Sequence, residues 1–215
     1  MEHINESQTV TPIASDTPMQ HNSPETEHKE SMISEILRFS IIALVIVLPI
    51  RLFVAQPFIV SGASMETTFS TGQYLIVDQL TYHFDTPTRG EVIIFRYPKD
   101  PSKFFIKRII GIPGDTIDIS GRDVTLTNAE HPEGVLLKED YILNMKPSAT
   151  LTETLGEGEY FVMGDNRDAS SDSRAWGVLQ RDNIVGRAFL RLFPLDVVNV
   201  FPGAHDKDLQ EEMEL

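Results

Sequence analysis

The sequence predicts a mostly β fold: an antiparallel sheet or partly closed barrel behind a single N-terminal transmembrane helix. Three observations carry this. From Gln56 to Ala204, short β-type runs are broken at close intervals by turn residues, with no long pattern of helical period. A strongly apolar segment, Ile36 to Ala55, precedes them. The net charge of -14 is concentrated at the two ends of the chain rather than in this middle region.

Residues 1–35 carry seven acids against the single Lys29 and are rich in Ser, Thr, Glu and Pro, with few large apolar side chains before residue 32. Such a segment buries too little surface to offset its ordering entropy, so it is expected to be a disordered acidic tail. Within the apolar segment, Phe39 to Ile50 lacks any charge and is flanked by Arg38 and Arg51. Twelve residues alone are too few to span a bilayer. Extension to 36–55 gives about 30 Å of helix, provided both arginines reach outward. Pro49 kinks such a helix without forbidding it. A cleaved signal peptide fits poorly, because the preceding tail is acidic and no Ala-x-Ala site follows closely. A buried helix of a soluble core is the plainer alternative. Lys29 and Arg38 on one side and Arg51 on the other barely bias the orientation.

Residues 56–204 form the expected globular domain, and together with the apolar segment, over 36–204, 16 bases nearly balance 20 acids. Candidate strands are Tyr74–Val77, Val92–Phe95, Phe104–Ile110, Thr116–Ile119, Val124–Thr127, Tyr160–Met163, Ile184–Leu192 and Val197–Phe201. Turns fall at Thr88-Arg89-Gly90, Pro113-Gly114-Asp115, Gly121-Arg122-Asp123, Gly156-Glu157-Gly158 and Asp182-Asn183. A domain of this size buries about 68–70% of its unfolded surface, enough for one core without disulfides. Residues 205–215 hold five acids and Lys207, and read as a solvated tail.

Composition removes several kinds of chemistry. The chain has no cysteine, so disulfides, thiolate nucleophiles, iron–sulfur clusters and cysteine zinc sites are excluded. Its acidity argues against a basic nucleic-acid face. The six histidines are scattered, three of them in the tail, without the spacing of a metal site. No cofactor is expected, and the oligomeric state is not set by the sequence.

Three segments carry candidate chemistry. In Ser61-Gly62-Ala63-Ser64-Met65, small residues allow a sharp turn that exposes a hydroxyl, but Ser64 needs a base to become a nucleophile. In Phe104-Phe105-Ile106-Lys107-Arg108-Ile109-Ile110, Lys107 shares a strand face with Phe105 and Ile109, and Arg108 the other with Ile106 and Ile110. Both faces are apolar, so alternation does not choose between a buried Lys107 and a solvated Lys-Arg pair. A buried lysine becomes a base if desolvation lowers its pKa from about 10.4 toward 7–8. The third segment, Gly164 to Gly177, is dense in turn formers, carboxylates, hydroxyls and arginines. It fails as a calcium loop, because Ser170 stands where a glycine is needed and Trp176 where a glutamate is. A rigid loop of paired Asp and Arg with inward hydroxyls fits it better.

In this order, behind an apolar anchor, the segments resemble the bacterial type I signal peptidases (leader peptidases), membrane-bound serine proteases with a Ser–Lys dyad. The resemblance runs from about Phe39 to Phe193. It includes Ile50-Arg51, Gln56-Pro57-Phe58, Ser64-Met65, Tyr74-Leu75-Ile76-Val77-Asp78 and Arg89-Gly90-Glu91-Val92-Ile93-Ile94-Phe95. Most specific are Ile106-Lys107-Arg108-Ile109-Ile110-Gly111-Ile112-Pro113-Gly114-Asp115 and the loop from Gly164 to Gly177. The resemblance implies Ser64 as nucleophile, Lys107 as general base, Ser170 as the residue that hydrogen-bonds and orients the lysine amine, and an Asp172–Arg174 salt bridge holding the loop. It also implies a Ser64 N–H in the oxyanion hole, secretory pre-proteins cleaved after Ala-x-Ala-like sites, a lipid bilayer as partner, and a catalytic domain on the outer face of the cytoplasmic membrane. Phe53, Phe58, Ile59 and Met65 are candidates to line shallow pockets or touch the bilayer, or else to pack in the core.

Two departures stand out. The family's Ser-Met-x-Pro-Thr is here Ser64-Met65-Glu66-Thr67-Thr68, which lacks the proline that stiffens the turn. Gly62 stands where some members place an oxyanion-hole serine, so Ser61 is given no such role. Two other classes compete with the enzyme: a catalytically weak or inactive membrane-tethered relative that binds signal segments, and a soluble Ser–Lys self-cleaving regulator. The acidic tail and apolar segment speak against the second, which would carry a DNA-binding domain instead.

Overall fold

The computed structural model describes residues 32–49, 55–142 and 145–204. The tails, most of residues 1–35 and all of 205–215, therefore lie outside the described residues, as do Phe53 and Arg51. Chain contacts divide the protein into Met1–Ile41 and Ile42–Leu215.

Helix α1 spans Met32–Pro49. It begins four residues before the expected anchor, taking in Met32–Glu35, and stops at Pro49, whose successors 50–54 are not described. Ala55, placed at the anchor's end by the sequence, belongs instead to a strand. Every side chain from Met32 to Leu48 is exposed, a run that includes Ile41, Ile42, Leu44, Val45, Ile46 and Val47. Among the described residues no helix is long and apolar enough to cross a membrane.

The remaining elements are strands joined by turns. They are β1 Ala55–Ile59, β2 Tyr74–Asp78, β3 Val92–Tyr97, β4 Asp100–Gly111, β5 Thr116–Gly121, β6 Asp123–Thr127, β7 Val135–Leu136 and β8 Ser148–Thr154. There follow β9 Glu159–Met163, the one-turn helix α2 Ser173–Trp176, β10 Leu179–Gln180, β11 Ile184–Phe193 and β12 Asn199–Val200. Every strand pairing is antiparallel. The larger sheet runs β1-β2-β11-β3-β4-β9-β10 with β12 added to β11, and the smaller runs β7-β6-β5-β8.

The antiparallel expectation holds, but the partly closed barrel does not. Each sheet ends in unpaired edges, β1 and β10 in one and β7 and β8 in the other. Closure is not needed to bury the sheets, because period-two alternation fills both faces of the larger one. Val92 and Ile94 of β3 join Leu75, Val77 and Ala188 on one face, while Ile93 and Phe95 join Ile109, Tyr160, Val162, Leu179 and Ile184 on the other. A third cluster unites Ile117, Ile119, Val124 and Leu126 of the smaller sheet with Ile110, Phe161 and Met163 of the larger. Where the two sheets meet, Arg89 and Asp115 form a buried ion pair at 2.8 Å.

The candidate site

Ser64 lies in the long connection from β1 to β2. Two backbone hydrogen bonds close the neck of this loop: Val60 N–H to the Gln73 carbonyl and Gly72 N–H to the Val60 carbonyl, both at 2.9 Å. Met65 and Phe69, four residues apart, turn fully inward and pack with Val60, Leu75 and Val77. These two apolar anchors fix the loop on either side of Glu66, Thr67 and Thr68. Met65 is thus a core residue and not part of a pocket wall.

Lys107 sits on β4 opposite Ile93 of β3. It is buried, and its Nζ lies 2.7 Å from Ser64 Oγ and 2.8 Å from the Ile106 carbonyl. That separation is within reach for proton transfer. Burial pushes its pKa down to about 8, although the Asp172 and Asp165 carboxylates pull it partly back. The Phe105 ring, 5.3 Å from Nζ, contributes to the apolar surroundings. A lysine that titrates near 8 is neutral in an appreciable fraction of molecules at pH 7, which the solvated pair would not be. The structure decides what strand alternation left open.

Arg108 faces the other side of β4 and is completely buried. It forms a bidentate pair with Asp165, Nε to Oδ1 at 2.9 Å and Nη2 to Oδ2 at 2.6 Å, and donates to the Gly90 carbonyl at 2.9 Å. Asp165 also accepts from the Thr68 hydroxyl. Sequence reasoning assigned no role to Arg108, Asp165 or Thr68. An arginine amid apolar residues on a central strand was the available signal, since such a group is buried only when fully paired.

The loop after β9 comes against Ser64. Asn166 N–H donates to the Ser64 carbonyl at 3.1 Å. Gly164 is the point of closest approach: a Cβ there would lie 2.3 Å from the Ser64 carbonyl oxygen and 2.3 Å from Ser170 Oγ. Asp172 and Arg174 form the expected bridge, bidentate at 2.9 Å on both arms. Burial opposes ionisation of Asp172, but the Arg174 guanidinium outweighs it and holds the carboxyl below its ordinary range. Asp172 also caps α2 and accepts from Gly164 N–H at 3.1 Å, while Arg174 donates to the Arg167 carbonyl at 2.7 Å. Ser170 Oγ is buried beside Gly164 and helps to hold the Asp172 carboxyl down, and it makes no hydrogen bond with the lysine amine, so that expected bond is not formed here.

A cleft of about 500 Å³ opens onto this pair. Ser64 and Lys107 lie in its wall with Phe58, Ile59, Leu75, Ile94, Phe104 and Ile106, so Phe58 and Ile59 do line a pocket. A largely apolar cleft in which the Ser64 hydroxyl meets a buried amine suits a peptide segment and acyl transfer. Among the described residues there is no cluster of acids and histidines able to hold a metal.

A serine hydroxyl held against a buried amine on the wall of an apolar cleft is an arrangement suited to a serine hydrolase. The chain belongs to the family described as signal peptidase, peptidase S26, whose model matches residues 33–193. It is 37% identical over 169 residues to a probable signal peptidase I-1 from Synechocystis sp., covering 75% of this chain and 83% of that one. It is 33% identical over 198 residues to a signal peptidase I from Leptolyngbya laminosa, covering 89% and 93%. A crystal structure of a signal peptidase I from Enterococcus faecalis V583 aligns with a TM-score of 0.40 at 30% identity, covering 48% of this chain and 97% of that one.

Proposed function

We propose that this chain is a membrane-bound signal peptidase I, a serine endopeptidase that removes signal peptides from secreted pre-proteins, in which Ser64 is the nucleophile and Lys107 the general base. The observation that carries the dyad is the 2.7 Å approach of a buried lysine amine, its pKa lowered to about 8, to a loop serine. Neutral Nζ accepts the Ser64 proton as Oγ attacks the scissile carbonyl carbon. The backbone N–H of Ser64 stabilises the oxyanion. The resulting ammonium gives its proton to the leaving amine, and the mature chain departs with its new N-terminus while the signal peptide stays esterified to Ser64 as the acyl-enzyme. Neutral Nζ then takes a proton from water, whose oxygen attacks the ester, and hands it back to Ser64 as the acid is released.

Asp172 and Arg174 hold the loop that presents Gly164 and Ser170. Nζ directs two contacts to Ser64 and Ile106, which leaves one direction for a further partner. The buried Ser170 hydroxyl, set beside Gly164 and close to the Ser64 carbonyl, supports its role as that partner once the amine turns toward substrate. The cleft's apolar wall fits short side chains of an Ala-x-Ala-like site.

We place the anchor from Ile36 to the residues before β1, a single pass with the catalytic domain on the outer face of the bacterial cytoplasmic membrane. Support comes from α1, which is apolar and exposed around its whole circumference through Leu48, a surface that needs a covering of protein or lipid. The span needs the residues beyond Pro49 to reach bilayer thickness.

Cleavage of a model pre-protein by the purified full chain in detergent tests the dyad. Ser64→Ala and Lys107→Ala each lose at least about 1,000-fold in kcat. Near-normal turnover by either variant contradicts the assignment.

A further inference from the structure

The residue that follows the base on β4 is tied to the far end of the described chain. Arg108 donates to the Gly203 carbonyl as well as to Asp165 and Gly90, and the Tyr141 ring covers its guanidinium at 4.0 Å. Asp165 in turn accepts from Thr68, four positions after Ser64. Gly203 also packs directly on the nucleophile loop. A Cβ at Gly203 would lie 2.4 Å from Thr68 Cγ2 and 3.4 Å from the Phe69 ring. Thr68 is therefore held twice, by its hydroxyl through Asp165 and by its methyl against Gly203.

The backbone here is shaped for that contact. Phe201 has φ of 50° and Gly203 φ of 74°. An aromatic residue enters the left-handed region only where its surroundings dictate it, and such outliers gather at functional sites. Phe201 is fixed by its N–H to the Phe189 carbonyl at 2.7 Å, an edge-on contact of the two rings at 5.3 Å and the Arg187 guanidinium at 4.8 Å. Under the segment, Phe201, Pro202 and Ala204 roof a cavity of about 320 Å³ floored by Val92 and Ala188. Pro202, between Phe201 and Gly203, is buried, so the segment is held down at three successive residues.

We propose that Phe201–Gly203 is a positioning strap for the nucleophile, pressing Thr68 into the place where Ser64 Oγ meets Lys107. The proposal rests on Ser64 being the nucleophile. Lys107 takes its position from a central strand, whereas Ser64 rides on a loop, so the dyad distance depends on where that loop is held. On β3 and β4 the strap meets Val92 and Arg108, not the cleft-wall residues Ile94 and Phe104, so loosening it affects turnover rather than substrate capture.

The test is a kinetic series on the full chain in detergent with a model pre-protein. Gly203→Ala lowers kcat about 10-fold or more, with KM within about twofold, since small displacements of reacting groups cost rate steeply. Phe201→Ala, at a 41% exposed position, lowers kcat severalfold in the same way. The loss caused by Gly203→Ala is at least about threefold smaller when measured in a Thr68→Ser background, because serine keeps the hydroxyl for Asp165 but lacks the methyl that a new Cβ would strike. Wild-type kcat in both single variants, losses confined to KM, or an undiminished loss in the Thr68→Ser background overturns the strap. If Gly203→Ala does not fold, as thermal melting would show, Phe201→Ala decides alone. Ser64→Ala is run alongside: its near-normal turnover would overturn the nucleophile assignment, whereas its inactivity with unaffected strap variants overturns the strap alone.

Discussion

Gly164 and Ser64 meet so closely that no side chain fits between them, a Cβ at residue 164 lying 2.3 Å from the Ser64 carbonyl oxygen. The neighbouring Asn166 N–H binds that same oxygen, so the loop after β9 acts as a backrest for Ser64. Gly164→Ala must push Ser64 or Ser170 aside. The expected loss in kcat is on the order of 100-fold, with the fold retained by circular dichroism. Single-turnover cleavage assays check it, and an unimpaired Gly164→Ala shows that the loop yields without moving Ser64.

Burying Lys107 has a cost in stability with a defined pH window. Its pKa falls from 10.5 in the unfolded chain to about 8 in the native protein. Between those values the unfolded state binds more protons, so stability rises with pH from about 8 to about 10.5, and the penalty is fully present below about 8. That fall corresponds to about 3 kcal/mol, at about 1.36 kcal/mol for each tenfold change in the proton equilibrium. Lys107→Met removes the group while keeping volume. Thermal melts should show the variant more stable than wild type at pH 7, with the gap closing as pH approaches 10.

Thr68→Val keeps the shape of the side chain and deletes its hydrogen bond to Asp165. A hydrogen bond to a charged group contributes about 1.5–3 kcal/mol, and Arg108 still pairs with the carboxylate, so a destabilisation of about 1.5 kcal/mol is expected. Urea unfolding measures it. Because Thr68 belongs to the nucleophile loop, kcat should fall in the same variant.

Asp172 and Arg174 should differ in the signature of their loss. Arg174→Ala leaves a fully buried carboxylate without its cation, which costs about 3–5 kcal/mol in melting experiments. Asp172→Asn removes a negative charge that raises the Lys107 pKa, so the acidic limb of the pH–rate profile moves to lower pH even as the maximum falls.

The central strands were legible in the sequence because they are apolar on both faces; β3, β4, β9 and β11 contain their expected ranges. The missed strands lack that mark. Pro57 disguises β1, which pairs only along one edge, and β8, Ser148–Thr154, offers little beyond Leu151 to the core. The expected strand Val197–Phe201 shrinks to Asn199–Val200, because a 3-10 turn occupies Leu195–Val197 and Phe201 turns left-handed. At the site, Ser64, Lys107, Asp172 and Arg174 carry motifs. Thr68, Gly164 and Gly203 act by proximity across the chain, which spacing does not encode. Arg108 was hidden by its apolar neighbours on β4, which make its burial look like core packing.

The most direct measurement is the pH dependence of pre-protein cleavage by the wild-type chain and by Lys107→Ala. The wild-type rate should climb tenfold per pH unit on the acidic side and level off near pH 8, as the amine loses its proton, while Lys107→Ala stays inactive throughout. A wild-type profile flat from pH 6 to about 10, or a Lys107→Ala variant that cleaves at a comparable rate, contradicts the role of Lys107 as the base of Ser64.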